Sequence, residues 1–182
     1  MPRSAGLILR TLLFTAAFWS LPILAQLPFL PIEQRMLEMP VKDMRLSDMR
    51  DTFDQARQGE RRHEATDIVA PRGTPVRAVE DGTIQQLFLS KAGGITIYQF
   101  DPSETYCYYY AHLDHYAAGL KNGAHVRKGD LIGYVGTTGN ASDTTPHLHF
   151  EISIIGKDRK WWGGTPINPY PILRVSYARS HP

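Results

Sequence analysis

Four of the seven histidines in this 182-residue chain lie where imidazole could do chemistry. The clearest setting is the run Pro146-His-Leu-His-Phe-Glu-Ile-Ser-Ile154. If this run is a β-strand, His147, His149 and Glu151 share one face, and the apolar residues between them share the other. Two imidazoles about 7 Å apart along a strand can reach a single site, one as a ligand and one as a neighbour. Zinc favours neutral imidazole and carboxylate ligands, and a catalytic zinc keeps three protein ligands and one open position.

Two further clusters contain histidine. His63 and Asp67 are four residues apart, just before Pro71, in a segment whose β-branched residues favour extended structure. His112 ends an aromatic run that begins at Tyr106. Taken alone, each cluster also fits hydrogen-bonded surface histidines, so the metal-site and surface interpretations both stay open at this level.

Turn signals rich in glycine, proline and aspartate separate short runs of β-branched and aromatic residues. These runs span residues 76–79, 83–89, 95–100, 106–112, 131–135 and 147–155. Such spacing, without long helices between the runs, predicts a mainly β fold, with antiparallel sheets packed as a sandwich or open barrel. Asp81-Gly82 is the strongest hairpin signal.

A short helical lead-in is predicted ahead of the strands. Ser47 can cap a helix that places Met49, Phe53 and Ala56 on one face, and Gly59 follows its end. Cys107 is the single cysteine, which excludes an intrachain disulfide framework or a multi-cysteine zinc site. We expect it to be a small core residue.

The N-terminal residues have the pattern of an export segment. Arg3 and Arg10 precede an uncharged stretch over residues 11–32, which predicts a signal peptide cleaved after Ala25 or a retained inner-membrane anchor. These two arginines account for the formal net charge of +2, which is too small and too dispersed to indicate a nucleic-acid partner. The expected organisation is a signal or anchor over 1–25, a linker and short helix over 26–58, a β domain over 59–175 and a flexible tail over 176–182.

The histidine clusters and the turns between them resemble one known family in order and local sequence. The motifs are His63-x-x-x-Asp67, Asp67-Ile-Val-Ala-Pro-x-Gly-Thr-Pro-Val76, Tyr110-Ala-His-Leu113, Val126-x-x-Gly-Asp-x-Ile-Gly133, Gly136-x-Thr-Gly139 and Pro146-His-Leu-His-Phe-Glu151. They resemble the lysostaphin-type zinc metallopeptidases, also called M23 or LytM-domain endopeptidases. The resemblance spans roughly residues 60 to 155 and implies that the β domain over 59–175 is an M23-like peptidase domain with a catalytic cleft.

This resemblance implies that His63, Asp67 and His149 bind Zn²⁺, and that His112 and His147 are catalytic residues beside the open coordination position. It implies an exported, monomeric hydrolase that cuts peptide cross-links of bacterial peptidoglycan with a metal-activated water, in the periplasm or cell envelope or outside the cell. Which histidine acts as the general base stays open.

Two positions depart from the family pattern, and two other functions remain as alternatives. Ala65 and Thr145 stand where the family usually has glycine, which matters if either backbone needs a positive φ. Metal-free LytM domains also serve as activators of cell-wall amidases, although this chain keeps all five site residues. The run Gly129-Asp-x-Ile-Gly133 also resembles a turn of lipoyl-like binding modules, but no carrier lysine is recognisable.

Overall fold

One branched antiparallel sheet dominates the computed structural model, which describes residues 30–57 and 61–181. Within these ranges the strands are β1 Thr66–Val69, β2 Pro75–Arg77, β3 Gly82–Ser90, β4 Gly94–Phe100, β5 Tyr106–Tyr116, β6 His125–Val126, β7 Leu131–Val135, β8 His147–Ile154 and β9 Thr165–Ile167, followed by the helix α1 Pro169–Ser180. The strand order is β1-β8-β5-β4-β3-β6, with β7 pairing both β2 and β5, and β9 pairing β8. The predicted mainly β, antiparallel fold is confirmed, and the sheet does not close into a barrel.

The core lies against the long central strand β5, which pairs with β4, β7 and β8. Tyr108, Tyr110 and Phe150 are fully buried there. Along β8 the buried and half-exposed residues alternate as predicted, so that Leu148 lies in the core while His147 faces outward. The apolar face therefore anchors the strand whose other face carries the histidines.

The hairpin predicted at Asp81-Gly82 is wrong, because β2 pairs with β7 while β3 pairs with β4 and β6. Asp81 instead accepts a hydrogen bond from the Lys128 backbone N–H at 2.8 Å and joins two loops. A Cβ on Gly82 would collide with the Phe100 carbonyl, so this glycine serves close strand approach and not a two-residue turn.

The predicted lead-in helix is also wrong, because this part of the chain is mostly extended. It contains two short 3-10 helices, Ile32–Gln34 and Leu46–Asp48. Met49 then forms a β-bridge with Ile68, and Ala56 forms one with Arg62. Residues 50–57, which we call the strap, thus lie antiparallel beside the chain that enters β1. This pairing covers the edge of β1 that would otherwise be open.

Residues 176–180 are helical, which corrects the flexible tail expected from residue 176. Helix α1 begins at an Asn168 cap, whose side chain accepts from the Tyr170 N–H, with proline at its first position. Leu173 is fully buried, and the Ser176 hydroxyl accepts from the Leu37 N–H at 3.1 Å.

The export segment expected over 1–25 lies outside the described residues. Among the residues that are described, no helix is long and apolar enough to cross a membrane.

A buried ion network fastens the lead-in to the sheet. Arg35 donates to Glu80 at 2.7 Å and to Asp101 at 3.0 Å, and the Asp101 side chain is fully buried. Tyr108 donates to the same Glu80 carboxylate at 2.6 Å, so the network reaches β5. The lead-in is therefore part of the folded domain.

We expect Arg35→Met to lower the free energy of unfolding by about 3 kcal/mol, because it leaves the buried Asp101 carboxylate without its cation. Urea denaturation measures the change. The control is Arg45→Met, which removes an exposed pair with Asp48 and should change stability by less than about 1 kcal/mol. Equal losses in the two variants would contradict the role of this network.

Candidate metal centre

Three potential ligand atoms converge on one point in the described part of the chain. His63 Nε2 lies 3.1 Å from Asp67 Oδ1, and His149 Nδ1 lies 3.2 Å from the same oxygen. The two ring nitrogens are 3.0 Å apart. This group of one carboxylate and two imidazoles could hold a metal ion.

Strand register brings these residues together. Asp67 in β1 is the direct partner of His149 in β8, and Ala111 in β5 is the partner of His149 on its other side. Directly paired residues have Cβ atoms about 5 Å apart, so their side chains meet on the open face of the sheet. His63 reaches the same point from the chain just before β1, where Glu64 adopts a φ of 57°.

The three residues fit a tetrahedral metal such as zinc. Bonds of about 2.0–2.1 Å place tetrahedral ligands about 3.3 Å apart, close to the 3.0–3.2 Å separations found here. Burial raises the pKa of Asp67, but hydrogen bonds with His149 and His63 outweigh it and hold that pKa well below its usual range. Burial also lowers the pKa of His149, so the site offers an ionised carboxylate and a neutral imidazole.

His112 points toward this centre because β5 is irregular at that residue. The β4–β5 register shifts between the pairs Ile95–Leu113 and Ile97–Tyr110, which leaves one extra residue in β5. His112 adopts a φ of 60°, an uncommon conformation for a residue other than glycine. Such backbone strain is typical of residues held in place for function.

Hydrogen bonds and burial set the protonation of His112. Its Nδ1–H donates to the Thr138 carbonyl at 2.8 Å, which leaves Nε2 as the ring atom with a free lone pair. Burial lowers the pKa of His112 to about 4, so the ring is neutral near pH 7 and can accept a proton.

His147 stands beside His112, with their ring centroids 5.0 Å apart. Its Nδ1–H donates to the Thr145 carbonyl at 2.9 Å, and its Nε2 lies 3.9 Å from Asp67 Oδ1. The structure therefore brings together all five residues singled out from the sequence, in an inner group of three and a neighbouring pair.

A cleft of about 1020 Å³ contains the five residues. Its lining also includes Tyr109, arginines 57, 61 and 62, and residues 92–93 and 140–142. Tyr108 and Tyr110 are buried, so one of three consecutive tyrosines lines the cleft, as expected. Trp161 packs on Tyr98, with ring centroids 4.6 Å apart, whereas Trp162 is 55% exposed.

The two departures from the family pattern do not strain the backbone. Neither Ala65 nor Thr145 has a positive φ. The residue with a positive φ next to Ala65 is Glu64. Elsewhere, Cys107 is a buried free thiol whose pKa is raised by burial, as expected of a core residue. His115 and His125 are exposed and lie outside the cleft lining.

The sequence interpretation missed three residues that contact the site. The Thr138 carbonyl accepts the hydrogen bond that holds the His112 ring. The Thr52 carbonyl lies 3.1 Å from His63 Nδ1 and holds that ring in the same way. Arg57 lies 3.3 Å from Asp67 Oδ2. Only Thr138 carried a signal in the sequence, through the Gly136-x-Thr-Gly139 motif.

The chain is similar to proteins with known names. A family model described as peptidase family M23 matches residues 61–169. L-Ala--D-Glu endopeptidase of Bacillus subtilis (strain 168) is 36% identical over 122 residues, which cover 64% of this chain and 36% of that protein. DD-carboxypeptidase/endopeptidase Mpg of Neisseria meningitidis serogroup B is 39% identical over 116 residues, which cover 62% of this chain and 23% of that protein. This chain therefore spans about a third or less of these curated relatives.

The catalytic domain of lysostaphin from Staphylococcus simulans is a similar solved structure. It matches with 31% identity and a TM-score of 0.55, over 64% of this chain and 82% of that chain. The antiparallel fold is thus shared with a peptidase domain.

We expect Gly94→Ala to destabilise the loop that holds His112. Gly94 has a φ of +66°, and a Cβ there would collide with Thr138. The control is Gly73→Ala, because Gly73 has a φ of +83° but no atom within 4 Å of the added Cβ, so it reports backbone strain of about 1–2 kcal/mol alone. In chemical denaturation Gly94→Ala should lose at least about 1 kcal/mol more than this control. Equal losses would show that the loop tolerates the extra atom.

Proposed function

Because the chain belongs to peptidase family M23, we propose that it is a zinc-dependent endopeptidase that hydrolyses peptide cross-links of bacterial peptidoglycan. The observation that carries this proposal is the convergence of His63, Asp67 and His149 in an open cleft beside two further histidines. The names of relatives such as L-Ala--D-Glu endopeptidase and DD-carboxypeptidase/endopeptidase support the substrate class.

His63, Asp67 and His149 would hold the zinc, with His63 Nε2, Asp67 Oδ1 and His149 Nδ1 as the donor atoms. Bound zinc supplies Lewis acidity, which activates water and polarises a peptide carbonyl. One carboxylate and two neutral imidazoles would leave the metal site with a net charge of about +1, which favours this chemistry.

His112 and His147 carry the proton transfers. Each ring has its Nδ1–H bonded to a backbone carbonyl, so each can exchange a proton only through Nε2. One of them accepts the proton of the attacking water, and the other stabilises the tetrahedral intermediate or protonates the departing amine. The ring centroids are 5.0 Å apart, which supports a role for both rings at a single scissile bond.

The action we propose takes place in the cell envelope or outside the cell, where peptidoglycan lies. The basic and then uncharged N-terminal residues support export, with residues 1–25 as a cleaved signal or an inner-membrane anchor. We propose that the folded domain acts as a monomer on the peptide part of its substrate.

We expect the purified wild-type chain to bind one zinc ion. His149→Ala should lose stoichiometric zinc because it removes an inner donor, whereas His112→Ala and His147→Ala should retain it. Metal analysis after dialysis measures the ratio. A folded wild-type chain without zinc would contradict the enzyme proposal and favour a metal-free activator of an amidase or a binding module.

We also expect the wild-type protein to release muropeptide fragments from purified peptidoglycan. His112→Ala and His147→Ala should each lower the rate by about 10²–10⁴-fold, the range for removal of a general acid or base. His125→Ala is the control, since this histidine is exposed and outside the cleft, and its rate should match wild type. Full activity in both cleft variants would refute the proton-transfer roles.

A further inference from the structure

The strap contacts the candidate metal centre although it lies before the family match at residues 61–169. It runs antiparallel to the chain that carries His63. The His63 N–H donates to the Gln55 carbonyl at 2.9 Å, and the Glu64 N–H donates to the Phe53 carbonyl at 2.9 Å. The backbone that presents His63 is therefore held by the strap on one side.

Thr52 in the strap contacts two of the three inner residues. Its carbonyl accepts the Nδ1–H of His63 at 3.1 Å, which directs the lone pair of His63 Nε2 toward Asp67 and His149. Its hydroxyl donates to the Ala65 carbonyl at 3.3 Å and accepts from the Asp67 N–H at 3.4 Å. One threonine thus orients both the first ligand and the backbone of the second.

The two oxygens of the Asp67 carboxylate have different partners. Oδ1 faces both imidazoles at 3.1 and 3.2 Å, while Oδ2 lies 3.3 Å from the Arg57 guanidinium. The Arg57 side chain is 44% exposed, so its attraction to Asp67 contributes little to stability by itself. Its structural effect is to keep Oδ2 occupied, which leaves a single oxygen for a metal.

We propose that the strap is part of the metal centre, with Thr52 and Arg57 as positioning residues. The Thr52 hydroxyl fixes the backbone between Ala65 and Asp67, and Arg57 fixes the one-oxygen binding of Asp67. The inference rests on the proposed zinc site. Partners that orient metal ligands are typically worth about 10–100-fold in metal affinity. The strap would supply this contribution from outside the matched region.

Arg57 is tested by the zinc affinity of the full chain, measured by competition with a chromophoric chelator. The matched control is Arg62→Gln, which removes the same charge from the same cleft and breaks an exposed pair with Asp54 of the strap, but leaves the contact with the Asp67 carboxylate intact. On charge alone both variants should bind zinc somewhat more tightly, because a nearby cation is lost. The proposal predicts that Arg57→Gln binds about 10-fold or more weakly than Arg62→Gln, with partial recovery in Arg57→Lys.

Thr52 is tested in the same assay. Thr52→Val keeps the side-chain shape and the carbonyl that holds His63, but it removes the hydroxyl that bonds the Ala65 carbonyl and the Asp67 N–H. It should therefore weaken zinc binding about 10-fold, while Thr52→Ser should bind like wild type. Thr66→Val is the control, because the buried Thr66 hydroxyl has no hydrogen-bond partner in the part of the chain that is described.

The outcomes separate this inference from the proposed function. If the wild-type chain binds zinc but Arg57→Gln matches Arg62→Gln and Thr52→Val matches Thr66→Val, the positioning role is refuted and the zinc site stands. If the wild-type chain binds no zinc, both are refuted. Unfolding of the metal-free variants in urea should be nearly the same for Arg57→Gln and Arg62→Gln, so a difference in affinity cannot come from general instability.

Discussion

The pairing of Asp67 with His149 across β1 and β8 is the constraint on which the site depends. It places a carboxylate oxygen 3.2 Å from a ring nitrogen on the open face of the sheet. A one-residue slip of either strand would turn these side chains into the core and the apolar ones outward. The burial of Leu148 and Phe150 on the opposite face therefore fixes the register and, with it, the geometry of the candidate metal centre.

The position of His112 depends on irregular backbone, unlike the positions of the histidines in β8. His147 and His149 follow strand alternation, but His112 reaches the cleft only through the extra residue in β5 and a φ of 60°. The loop with Thr138 fits against Gly94 and holds the His112 ring from outside. On the other side of the centre, the strap holds His63 and Asp67. The sheet thus carries Asp67 and His149, while the loop with Thr138 orients His112 and the strap orients His63.

Local patterns predicted much of this arrangement. The six strand runs and the alternation of β8 can be predicted from the sequence, because strand period and turn chemistry depend on residues that are neighbours in the chain. The lead-in helix was a wrong prediction because the burial of Met49 depends on its bridge to Ile68, which no local pattern contains. The hairpin failed for a similar reason, since Asp81 binds the distant Lys128 backbone. Thr52 and Arg57 could not be predicted from the sequence, because a backbone carbonyl and an exposed arginine leave no motif.

The central claim is that His63, Asp67 and His149 together hold one zinc ion. Its most direct test is a crystal structure of the zinc-loaded protein with anomalous scattering measured at the zinc absorption edge. We expect one peak, about 2.0–2.2 Å from His63 Nε2, Asp67 Oδ1 and His149 Nδ1, with His112 and His147 near it but not bonded. A peak bonded to His112 or His147 in place of one of these three, or no peak at the centre, would contradict the account.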